Sequence, residues 1–224
     1  AIDRTAVTLH TPGDTLAIQA YLGQVRASQG YFDLYTQLYR VGHLDWQQGR
    51  LYYDNRLARR TGGLDYNHLA LSHLSLGVDS VFFHAPRIEA IVRSCSFTER
   101  CGLRLTSLQT RIAIDSAAIR LPMLVLTTTE SAIKAQAHMA LNVLDSLHPG
   151  AMTLTLHASI GKQDIAAIGG HMLPAGLLGT LPNYPLRIDG VLRGNLRRAH
   201  LAGLHISMPT AADLHVDGFV GNLT

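Results

Sequence analysis

The residues in this chain that could do chemistry are twelve histidines, sixteen carboxylates, a basic loop and two cysteines. The histidines run from His10 to His215 without the paired spacing by which an enzyme holds zinc. His157, His205 and His215 each sit between apolar residues in alternating stretches. They are therefore expected on the wet face of strands, as solvated side chains. Asp54, Asp115 and Asp145 fall in turns, and Asp79 and Asp189 fall on the polar side of strand patterns, so no acid/base pair is marked by spacing. There is no nucleophile elbow, phosphate-binding loop or dinucleotide fingerprint. The pattern reads against an enzyme, and no metal or cofactor is expected. Arg56, Arg59 and Arg60, near Tyr52, Tyr53 and Tyr66, are residue types that grip nucleic acid by charge and stacking. A solvated loop is the simpler reading, and a contact with anionic headgroups lies between the two. The formal charge of +3 is too small to imply a nucleic-acid partner. Cys95 and Cys101 flank a short stretch and read either as a hairpin disulfide in an oxidising compartment or as unrelated strand and loop thiols.

The elements that must position these residues are strands. Hydrophobic residues make up 47% of the chain and charged ones 16%. That balance suits many half-buried strands and excludes disorder. Alternation marks strands at Thr5–Leu9, Leu16–Leu22, Tyr31–Val41 and Leu44–Tyr53, with a turn at Pro12-Gly13-Asp14. Aromatics on both sides of Tyr31–Val41 suggest a strand covered on both faces, or a junction. From Asp65 the alternation becomes regular: Leu69–Val78, Val81–Phe83, Ile88–Val92, then Met152–Ala158, with a loop at 142–150. One stretch departs from it. Ile165, Ile168 and Met172 fall three and four apart, so one or two short helices are expected near 163–181. No apolar run reaches the roughly 20 residues of a membrane-spanning helix. The chain divides into an N-terminal β segment with the basic loop, 1–66, and a repeat-like segment, 67–224. It opens without methionine and ends in a strand-like run, which reads as a piece of a longer protein.

The repeat has two copies about eighty residues apart. Leu103, Leu105, Leu124, Leu126, Ile133 and Ala135 belong to the first. Ile188, Leu204, Ile206, Leu214 and Val216 belong to the second, and Leu154 and Leu156 lie between them. Repeated strands of this kind make an elongated sheet. Its apolar face is either an ordinary sandwich core under a second sheet or an open groove that holds lipid chains. Ala135, Ala137, Gly190 and Gly194, small residues at apolar-facing positions, lean toward the groove. The thirteen larger and smaller residues just named as repeat members and their intervening pair are its candidate lining.

The strand-and-turn phrases carry a resemblance. They are Asp65-Tyr66-Asn67-His68-Leu69-Ala70-Leu71 with Val78-Asp79-Ser80-Val81, Gly102-Leu103-Arg104-Leu105-Thr106-Ser107-Leu108, and Ile119-Arg120-Leu121-Pro122. Ala158-Ser159-Ile160-Gly161-Lys162-Gln163-Asp164, Tyr184-Pro185-Leu186 and Gly194-Asn195-Leu196 continue the series. In order and spacing these resemble the TamB branch of the AsmA-like superfamily, in the long versions of the Bacteroidetes. The resemblance implies a mainly β, elongated antiparallel sheet folded into an open hydrophobic groove, a β-taco, without catalytic residues. It implies a cell-envelope protein anchored in the inner membrane and crossing the periplasm. The implied roles are phospholipid movement between the membranes and help in outer-membrane protein assembly, with a TamA-like β-barrel partner docking outside this stretch. A β-augmentation scaffold for barrel strands and a closed structural spacer are the competing readings.

Overall fold

The computed structural model describes residues 2–11, 15–143, 145, 147–169, 172–174 and 176–221. The turn expected at 12–14 and the last three residues of the strand-like end lie outside them, as do parts of the 142–150 loop and of the helical stretch. Among the described residues the chain forms twelve strands and two helices. The strands are β1 (Ile2–His10), β2 (Leu16–Asp33), β3 (Leu38–Asn55), β4 (His68–His84), β5 (Arg87–Glu99) and β6 (Arg104–Ile114). They continue as β7 (Ala118–Thr128), β8 (Ala132–Ala140), β9 (Met152–Ile160), β10 (Leu186–Gly194), β11 (Arg198–Met208) and β12 (Ala212–Gly221). The helices α1 (Lys162–Gly169) and α2 (Leu177–Thr180) fall between β9 and β10, where helical spacing placed them.

All twelve strands make one antiparallel sheet in sequence order, β1 to β12, not closed into a barrel. Such a meander follows from short loops between alternating runs, since antiparallel neighbours need only a tight turn. Asx turns close several hairpins. Asp115 Oδ1 accepts the N–H groups of Ala117 and Ala118 between β6 and β7, and Asn195 Oδ1 accepts those of Arg197 and Arg198 between β10 and β11. A short polar side chain that satisfies two turn amides fixes where the strand reverses.

The same device corrects one expectation. Tyr31–Val41 is not one strand. Asp33 Oδ1 accepts the N–H groups of Tyr35 and Thr36, and the chain reverses there between β2 and β3. Leu34 and Tyr35 stand in solvent, 81% and 96% exposed, which accounts for aromatics on both sides of the pattern.

Among the described residues every strand belongs to this one sheet, and no separate second sheet is present. Extensive contacts between described strands occur only between hydrogen-bonded neighbours. The chain exposes 13827 Å², whereas a compact monomer of its 24.4 kDa exposes about 10,000 Å². Among the described residues no large side chain is completely enclosed. Bulges bend the sheet. Register shifts in β3–β4 and β4–β5 coincide with left-handed residues Gln48 (φ 54°), His73 (φ 53°) and Ser80 (φ 61°). An extra residue on one strand kinks it and increases its twist, so these positions curve a sheet that would otherwise lie flat. Leu74, Leu105 and Met208 are only 4% exposed, so the curved sheet covers parts of its own apolar face.

Candidate functional site

Residues directly opposite one another on paired strands share a face, so the register maps the apolar side of the sheet. One row reads Leu126–Ile133–Ala158–Ile188–Ile206–Leu214 across β7 to β12. A parallel row reads Leu124–Ala135–Leu156–Gly190, and then Leu204–Val216. Gly190 lies against Leu204, whose Cα would be 3.0 Å from a Cβ at residue 190. Leu154 falls in a third row, Leu121–Ala137–Leu154–Leu192–Leu201. Leu103 and Leu105 lie at the near end, where Leu105 pairs with Phe97 and Thr128. The candidate lining residues on strands therefore share one face of one sheet, while Leu103 precedes β6 and has no register partner.

The sequence reading missed how far this face extends. A row of Phe32, Tyr39, Phe83, Ile88, Ile114, Ile119, Met139, Met152, Gly194, Ala199 and Val220 crosses β2 to β12 without a charged residue. Phe32, Tyr39 and Phe83 stack in sequence, with ring centroids 6.2 and 5.7 Å apart. Another row, Val7–Ala20–Leu51–Leu71, extends the face to β1 and lines a shallow depression of about 430 Å³. The signal for these rows was present: once Asp115 is recognised as the turn, Ile114 must oppose Ile119. Gly194 is small for a different reason from Ala135. A Cβ there would meet the Arg198 carbonyl oxygen at 2.3 Å, so the hairpin reversal requires it.

Two buried polar side chains on or beside the apolar face are satisfied by the backbone, whereas Trp46 Nε1 is buried there without a hydrogen-bond partner. Thr110, 9% exposed, donates to the Met123 carbonyl at 2.9 Å. Glu99, 3% exposed, ends the Val7–Leu71 row. Its carboxylate accepts the N–H groups of Ala70 (3.2 Å) and Cys101 (2.5 Å). Burial pushes its pKa up, but these hydrogen bonds outweigh burial and leave it below the usual carboxylate value. α1 is docked by a similar arrangement. The buried Asp164 carboxylate accepts the hydroxyls of Thr128 and Ser131, and Glu130 accepts the Gln163 N–H at 3.1 Å. A side chain at Gly161 would bring its Cβ to 2.3 Å from that of Glu130, so glycine allows this approach. A depression of about 590 Å³ lies in this corner between α1, α2 and Glu130, away from the apolar rows.

The opposite face is polar. Arg93 bridges Asp79 and Asp45 at 2.8 and 2.6 Å, and His43 meets Asp79 at 2.8 Å. His157 meets Asp189 at 2.8 Å, and the row continues through His205 to His215. The histidines expected as separate solvated side chains thus form a cross-strand series with aspartates. In the basic loop Arg60 pairs with Asp54 at 3.1 Å, and the buried His68 bonds Asp65 at 2.8 Å. Asp65 is held at about 2, first by the Thr61 N–H. The disulfide alternative is not realised. Both cysteines are free thiols. β5 stays extended from Cys95 to Glu99, which at about 3.3 Å per residue spans about 13 Å, twice what a disulfide bridges. Burial pushes both thiols up, assisted at Cys101 by Glu99.

Compared with protein-family models, curated proteins and solved structures, this chain matches none.

Proposed function

We propose that the apolar face is an open track for acyl chains, and that the protein moves phospholipid between the two membranes of a cell envelope. One observation carries this reading: uninterrupted apolar rows cross the strands of a single sheet that is not closed into a barrel. An apolar expanse beyond a few hundred Å² on a soluble surface marks a binding site, and a face running over twelve strands suits an extended apolar ligand better than a compact one. The resemblance to TamB-like proteins supplies the envelope setting, the inner-membrane anchor and the TamA-like partner. A second reading is favoured by β1, whose nine residues are all exposed and which has one strand partner among the described residues. Its other edge would let barrel strands add by β-augmentation during outer-membrane protein assembly.

The test is native mass spectrometry of the protein purified from envelopes, wild type against Leu126→Asp with Ile206→Asp. Phospholipid bound to the wild type and absent from a folded double variant supports the track. On an open wall a carboxylate keeps its water, whereas in a closed core it would cost several kcal/mol. A lipid-free wild type that captures unfolded barrel strands favours augmentation instead.

A further inference from the structure

On the face opposite the apolar rows, the terminal hairpin carries a donor set that the proposed lipid track does not use. His205 and His215 are directly paired across β11 and β12. Their rings are stacked, with centroids 4.0 Å apart and planes 8° from parallel. Both Nε2 atoms converge on one oxygen, Asp213 Oδ1, at 2.8 and 3.3 Å. Asp213 pairs with Ser207, two residues along from His205, so all three side chains leave the same face. We propose that His205, Asp213 and His215 bind one first-row divalent metal ion, with Zn²⁺ the species this donor set suits best.

The chemistry follows from the geometry. Two imidazole nitrogens and a carboxylate oxygen bind borderline metals such as Zn²⁺, whereas Ca²⁺ and Mg²⁺ prefer all-oxygen sites. The three donor atoms lie within 4.8 Å of one another. Ligands about 2.0–2.1 Å from a tetrahedral zinc lie about 3.3 Å apart, so the site forms when the two stacked rings rotate out of their parallel planes to aim both nitrogens at one point. The side chains are 36%, 69% and 73% exposed for His205, Asp213 and His215, which leaves the remaining coordination positions to water. Binding would clip β12, the edge strand, to β11. The pairing was within reach of the sequence: a turn centred on Thr210 sets residue 205 opposite 215.

Zn²⁺ titrated calorimetrically into the protein tests this, with wild type compared against His215→Ala, Asp213→Asn and His157→Ala. One equivalent should bind. Affinity should fall at least about tenfold in His215→Ala, fall less in Asp213→Asn, and stay unchanged in His157→Ala. NMR of the wild type guards against a disturbed hairpin in the variants: the ring signals of His205 and His215 should shift together at one equivalent. Equal affinity in all four proteins overturns the proposal, as does an equal loss in His157→Ala or shifts spread over the other histidines.

Discussion

Hairpins β7–β8 and β11–β12 are built on one plan. Leu121, Leu124 and Leu126 correspond to Leu201, Leu204 and Ile206, and Ala137, Ala135 and Ile133 to Gly218, Val216 and Leu214. The bulge falls at the same place in both, between Leu121 and Leu124 and between Leu201 and Leu204. The opposite faces differ. Val125, Ala132 and Lys134 stand where the second hairpin has His205, Asp213 and His215. The apolar side is held in common while the polar side varies, as expected if the apolar face serves one continuous purpose and the polar face serves local ones. Neighbours differ too. β8 is paired on both sides, whereas β12 is an edge.

That last contrast should give the largest effect on stability. Ile133, half-buried between β7 and β9, should cost about 2 kcal/mol on truncation to alanine. Its counterpart Leu214, 51% exposed at the edge, should cost less than about 1 kcal/mol. Denaturant midpoints of the two variants measure the difference, and equal losses would mean that something covers β12.

The bulges offer a smaller contrast. In β11 the bulge contains Gly203 at φ 57°, a conformation that costs other residues about 1–2 kcal/mol. In β7 the equivalent residue is Met123, preceded by Pro122, and neither adopts a left-handed φ. Proline suits a bulge because it has no N–H to place in the ladder. Gly203→Ala should therefore lower stability by about 1 kcal/mol, and Met123→Ala by a few tenths at most. Thermal melts of the pair check this.

The smallest contrast is electrostatic. Asp115 and Asn195 close equivalent turns with the same two amide bonds. Asp115 is held at about 2, below its ordinary 3.8, first by the Ala117 N–H, then by Arg120 and the Ala118 N–H. A depressed carboxylate stabilises the fold above its unfolded pKa, and that stability is lost as pH falls through the folded value. The β6–β7 turn should therefore loosen between about pH 4 and pH 2, while the Asn195 turn should not. Amide-exchange protection at Ala117 and Ala118, set against Arg197 and Arg198, reports it.

Much of this plan was legible in the chain. Period-two alternation located the strands, and the repeated phrases located the apolar residues that share a face, because strand pairing preserves facing. What alternation could not supply was pairing arithmetic. The Asp33 turn was hidden inside an unbroken alternating run, and the His205–His215 pair appears only once Thr210 is taken as the centre of a turn. The seating of α1 rests on Asp164 meeting Thr128 and Ser131, more than thirty residues away. Nothing local in the sequence marks that contact.

Photo-crosslinking on the apolar face tests the central claim most directly. A photoreactive residue placed at Leu126, and separately at Ile206, should capture phospholipid acyl chains in intact envelopes, because both positions lie on one apolar row. The same probe at Lys134, on the opposite face, should capture none. Crosslinks from positions 126 and 206 to protein alone would mean that the face is covered by polypeptide, and would contradict the acyl-chain track.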